Sequence, residues 1–141
     1  QGARTCTGRL VNAIHIFSHS GPHGVFGSAS GGAVGLYRDG VSVAQRAGGA
    51  RTVADFPLAP LAQEVIVVLH GCNTANGDDS FARALFQRLS SSLSNPRVFA
   101  HPNGGCCGRD NSWREFSTRA PTGRAVRSIV PHYSGDGCCS S

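Results

Sequence analysis

Two residues in this 141-residue chain are placed to do nucleophilic chemistry together. Cys72 stands in His70-Gly71-Cys72-Asn73-Thr74-Ala75, just after the apolar run Val65–Leu69. His19 stands in Ser18-His19-Ser20-Gly21-Pro22-His23-Gly24, at the end of a second β-compatible run, Asn12–Ser18. A thiol attacks as the thiolate, and an imidazole within hydrogen-bond reach supplies the base that makes it one. Attack on a carbonyl drives negative charge onto its oxygen, which backbone N–H groups beside the nucleophile can stabilise. The small residues Ser20, Gly21 and Gly71 leave room for such donors.

The elements that must position this pair are legible as strands and one helix. Glu64–His70 (E-V-I-V-V-L-H) reads as a central strand buried on both faces, the pattern of a parallel sheet. Asp78–Ser92 reads as a helix with Phe81, Ala82, Leu85, Phe86 and Leu89 on one stripe, capped by Asp78 or Asp79. Asn95-Pro96 ends it, and Arg97–Ala100 begins another strand, completing a βαβ unit. Between the His19 and Cys72 strands lie short β pieces at Val25–Phe26, Ala33–Tyr37 and Val41–Val43, with Asp39-Gly40 as a hairpin signal. Pro57–Gln63 reads as a short helical turn with Asp55 as its cap, residues 101–124 as a long polar loop, and Ala125–Pro131 as a last strand. In an open parallel sheet, ligands bind where strands end at their carboxyl edge. If the first and central strands are neighbours, His19 and Cys72 face one cleft.

The pattern of an apolar strand with S-H-S-G-P-H-G, then an apolar strand with H-G-C-N-T-A and an F-A-x-x-L-x-x-x-L helix, resembles the caspase-like clan of cysteine peptidases. It is closest to the bacterial domains related to the caspase-type CHAT group, over residues 12–105. The resemblance implies a small, mostly parallel α/β sheet flanked by helices, with a β-hairpin insert between the two strands. It implies His19 as general base, Cys72 as nucleophile, and the backbone N–H groups of Cys72 and of Ser20 or Gly21 as oxyanion donors. The loop after Arg97–Ala100 becomes the specificity region, with His101, Asp110 and Trp113 as substrate-binding candidates beside His23 and Asn73. The family places Gly directly after its His, whereas Ser20 stands there in this chain and His23 precedes Gly24. Either imidazole could serve as base, and His19 is preferred because it directly ends the strand. The family also has strands before the His strand, and eleven residues precede Asn12. The expectation is therefore a processed fragment, or a second chain that completes the sheet.

Composition bounds the rest. The length is that of one domain, residues 1–141, large enough to bury a core. No apolar run approaches the ~20 residues of a membrane helix. The net charge is +5 and every basic residue is Arg, a bias that codon usage or selection against lysine could produce. The Arg residues are scattered, with little aromatic interleaving apart from Trp113 beside Arg114, so nucleic acid is possible but not the favoured partner. Six Cys in so short a chain point to an oxidising compartment, secreted, extracellular or periplasmic, with disulfide staples. Neither Cys106-Cys107 nor Cys138-Cys139 has zinc-ligand spacing, and no phosphate-binding glycine motif is present, so no metal or cofactor is expected. Cys72 itself has two open readings, nucleophile or bridge partner.

The leading function is thus hydrolysis of a peptide or amide bond in a peptide or protein substrate by a His19/Cys72 dyad. One alternative is a secreted basic ribonuclease or toxin domain using two His as acid and base. The other is a non-catalytic binding or assembly module, in which all six Cys are bridged.

Overall fold

Val65 through Leu69 carry branched side chains at every position, and a strand of that kind survives only between two covered faces. In the computed structural model, which describes residues 10–26, 35–39, 50–103 and 112–127, these residues form the second half of a nine-residue strand, and all five are buried. Five strands make the main sheet: β1 (Val11–Ile16), β6 (Leu61–Leu69), β7 (Arg97–Ala100), β8 (Trp113–Ser117) and β9 (Ala120–Val126). They lie in that spatial order. β1 and β7 both run parallel to β6, with Ile16 opposite Leu69 and Val68 opposite Phe99. β8 and β9 continue the sheet antiparallel.

The fold is therefore α/β with mixed sheets and one helix among the described residues, which corrects two expectations. The sheet is half antiparallel rather than mostly parallel, and among the described residues a single α-helix flanks it. The cause is the segment read as a polar loop. Trp113–Ser117 alternates, with Trp113 and Glu115 turned to one face and Arg114 and Phe116 to the other. Thr118-Arg119 turns the chain, and the amide of Ala120 donates to Ser117 Oγ at 3.3 Å. Gly123 takes a φ of +92°, and a Cβ there would lie 2.8 Å from the Phe116 ring, so glycine closes the hairpin onto that ring.

The helix α1 (Phe81–Ser90) buries the expected stripe, Phe81, Ala82, Leu85, Phe86 and Leu89. It packs against β7, β8 and β9. Its core partners on the sheet include Val65, Val67, Leu69, Val98 and Phe116. The N-cap is Ser80, whose hydroxyl accepts from the Arg83 amide at 3.2 Å, in place of the expected Asp78 or Asp79. Asp78 and Asp79 are exposed, and Ser80 is the buried residue that the turn brings to the helix start. The opposite sheet face gathers Ile66, Val68, Phe99 and Trp113.

Between β1 and β6 the chain builds a four-stranded sheet in the order β2 (His19–Gly21), β3 (Gly24–Phe26), β4 (Gly35–Tyr37), β5 (Ala50–Thr52). β2 and β3 form an antiparallel hairpin that turns at Pro22-His23. A 3-10 turn covers Val53–Asp55, boxed by Thr52 and Asp55, and Leu61–Gln63 belong to β6. The helical turn expected at Pro57–Gln63 is thus displaced upstream; Pro60 supplies no N–H for a helix, and its carbonyl accepts from the Val11 amide of β1 at 2.8 Å. Val41–Val43, and Cys6, Cys106, Cys107, Cys138 and Cys139 with the disulfides expected of them, lie outside the described residues. No described helix is long and apolar enough to cross a membrane.

Candidate functional site

The sheet order brings the two chemistry-bearing segments to one edge. Because β1 and β6 are parallel neighbours, both leave the sheet at the same end, and the His70 amide donates to Ile16 O at 2.8 Å as they do. From there the segment after β1 and the segment after β6 stay in contact. Ser20 Oγ donates to the Cys72 carbonyl at 2.8 Å. On the other side, β7 runs into His101–Asn103, and the Asn73 and Ala75 amides donate to Asn103 O and His101 O at 3.0 and 2.8 Å.

Cys72 is half-buried at this junction. Asn73 follows it at φ +63°, a left-handed turn that Asn tolerates better than most residues with a Cβ. The loop is tied further by Thr74 Oγ1 to Gly71 O, and by the Ala82 amide of α1 to Thr74 O at 2.9 Å. Arg114 reaches across from β8, donating to Ala75 O at 3.0 Å and to Thr122 O at 2.7 Å. The loop carrying the thiol is therefore tied to β2, to the segment after β7, to β8 and to α1 together.

His19 and His23 are both exposed. Alternation along β2 sends the His19 side chain to the face opposite Ser20, and Ser20 is the one that meets Gly71 and Cys72. The structure brings the two segments together but holds no hydrogen bond between the His19 ring and the Cys72 thiol. Ser20 pairs with Val25 and Gly21 with Gly24 across the hairpin. In such a ladder successive N–H groups alternate toward and away from the partner strand, so one of these two candidate oxyanion donors, not both, is turned away from β3. Asn73, whose N–H is committed to Asn103 O, is half-buried.

Of the downstream candidates, His101 and Trp113 are buried beside each other. His101 is 2 % exposed, with Nδ1 3.2 Å from Ser112 O and its ring 3.9 Å from that of Trp113, itself buried. Both are buried among the described residues. Asp110 lies outside the described residues.

A cluster that the sequence reading did not assemble lies beside this edge. His15 Nδ1 and His70 Nε2 are 3.0 Å apart, the Phe17 ring stacks on His70 at 4.1 Å, and Trp113 meets His70 edge-on. His70 is 3 % exposed, and burial foremost, then the nearby His15 and His101, pushes its pKa down to about 4. It is a neutral ring in a packed stack at physiological pH. The signal is parity: His15 in β1 and Phe17 just beyond it fall on one side of the chain, as do Ile66 and Val68 in β6 and His70 just beyond it. No group of three or more His, Cys, Asp and Glu among the described residues could hold a metal ion. A cleft of about 720 Å³ opens at the opposite end of the parallel strands, lined by Asn12, Ala13, Gln63, Glu64, Ile66 and Arg97, away from Cys72.

No protein-family model matches the chain, and neither a curated protein nor a solved structure matches it.

Proposed function

We propose that the chain hydrolyses a peptide or amide bond with Cys72 as nucleophile and His19 as general base, on a caspase-like arrangement of strands. One observation carries this reading. β1 and β6 are parallel neighbours whose ends leave the sheet together, with Ser20, the residue after His19, bonded to Cys72 O at 2.8 Å. Cys72, half-buried, stands just before the left-handed turn at Asn73, and the amides of Asn73 and Ala75 are held by the carbonyls of Asn103 and His101, which limits the freedom of the loop that carries the thiol. His19 is solvent-exposed and, by alternation along β2, lies on the face away from Cys72, so the dyad requires the β2 hairpin to reorient when substrate binds, and only then does its hydrogen bond form.

In the reaction, His19 takes the thiol proton and Cys72 Sγ bonds to the scissile carbonyl carbon. The C–N bond breaks, and His19 returns the proton to the departing amine. Water then attacks the thioester, with His19 again accepting its proton, and releases the acid and the thiol. Backbone N–H groups of Cys72 and of Ser20 or Gly21 stabilise the oxyanion.

The test is cleavage of a mixed peptide library followed by mass spectrometry, using the wild-type chain and Cys72→Ala, His19→Ala and His23→Ala. The expected result is cleavage by wild type and His23→Ala, and none by the other two while both still fold. Cleavage that survives Cys72→Ala, or peptide mapping that finds Cys72 in a disulfide, overturns the proposal. Loss in His23→Ala with His19→Ala unaffected overturns the choice of base.

A further inference from the structure

The peptide unit between Cys72 and Asn73 is gripped at both ends. Its carbonyl oxygen accepts from Ser20 Oγ at 2.8 Å, and its N–H donates to Asn103 O at 3.0 Å. No cis bond occurs among the described residues, so C=O and N–H of this unit point in opposite directions. Ser20 and Asn103 therefore hold it from opposite sides. The arrangement continues the sheet order: Ser20 follows β1, Asn103 follows β7, and the loop after β6 lies between them.

We infer that Ser20 is a positioning residue for Cys72, its hydroxyl acting with the Asn103 carbonyl to fix the plane of the Cys72–Asn73 peptide and so the direction of the thiol. The role rests on the proposed use of Cys72 as nucleophile. Ser20 enters it through its side chain, in addition to whatever its backbone N–H does. Of the two partners only Ser20 can be deleted by substitution, because Asn103 acts through its main chain. Removing the hydroxyl leaves the Cys72 carbonyl without this donor and loosens the peptide unit, so that its N–H bond to Asn103 O opens more often. Reacting groups must be held within a fraction of an ångström, so such loosening appears in turnover before it appears in folding.

The experiment compares wild type, Ser20→Ala and Ser20→Thr by three measurements: kcat and KM on a peptide cleaved by wild type, the alkylation rate of Cys72 by iodoacetamide across pH, and hydrogen exchange of the Asn73 amide. Ser20→Ala is expected to lower kcat roughly ten- to a hundredfold with KM little changed. Its Asn73 amide exchanges faster, while Cys72 alkylation, which asks only for an accessible thiolate, follows the wild-type pH profile. Ser20→Thr, which keeps the hydroxyl, restores slow exchange and turnover. Unchanged Asn73 exchange in Ser20→Ala overturns the clamp. Faster exchange with unchanged kcat overturns the positioning role. Absence of Cys72-dependent cleavage in wild type overturns the dyad instead, and the Asn73 exchange data then still decide whether the clamp exists.

Discussion

Ser20 and Gly71 interlock across the gap between the segments that follow β1 and β6. A Cβ on Gly71 would land on the Ser20 hydroxyl oxygen, 2.6 Å from Ser20 Cβ and 3.1 Å from Ser18 O. Glycine before Cys72 is thus a requirement of close approach, and the approach is what allows the Ser20–Cys72 bond.

Gly71→Ala should destabilise the fold by about 1–3 kcal/mol in urea denaturation, the usual range for forcing volume into packed space. Ser20→Gly removes both of the nearest clashing atoms. The double variant should therefore lose much less than the sum of the two single losses. Simple additivity would show that the clash lies elsewhere.

Asn73 isolates the backbone contribution at the turn. Asn73→Gly and Asn73→Ala both delete the 3.3 Å bond from Asn76 Nδ2, so their difference reports the φ of +63°, less the greater freedom that glycine has in the unfolded chain. Asn73→Ala should be about 1–2 kcal/mol less stable than Asn73→Gly. Equal stabilities would mean that the loop relaxes out of the left-handed region.

The strands and helix of the βαβ unit were legible because their side chains are dictated by burial: β7 runs over Arg97–Ala100 as expected, and α1 buries the expected stripe. The hairpin of β8 and β9 was not legible. Its outward positions carry Arg and Thr, and Glu115, though 5 % exposed, looks like a surface residue in sequence. It is buried against Arg124, with the ion pair at 2.6 Å, and against Arg97 at 3.7 Å. At the site, strand order made Ser20 and Cys72 neighbours, which parity and parallel pairing allow one to foresee. The side-chain bond of Ser20 could not be foreseen, since it depends on how closely two loops pass.

Arg114 braces the loop beyond Cys72 from β8, and it does so with two arms. One nitrogen serves Ala75 O and another Thr122 O, while the guanidinium lies 5.4 Å over the Phe116 ring. Lysine carries the charge but not the fork. Arg114→Lys and Arg114→Ala should therefore be similarly destabilised, by about 1–3 kcal/mol. Lysine that restores wild-type stability would reduce the role to charge alone.

His70 should make the fold sensitive to acid. Its folded pKa is lowered from 6.5 to about 4, chiefly by burial and then by His15 and His101. Between those values the unfolded chain binds a proton that the folded chain refuses, so stability rises with pH across this window and falls as the solution is acidified through it. Each pH unit in the window is worth up to ~1.4 kcal/mol, which sets a ceiling of about 3 kcal/mol for the whole span. Below pH 4 both states are protonated and this group adds no further slope. His70→Phe keeps a flat ring against Phe17 and cannot titrate. Urea denaturation at intervals from pH 4 to 8 should show wild-type stability declining toward acid, and a flatter curve for His70→Phe. Parallel curves would place the acid sensitivity in another group.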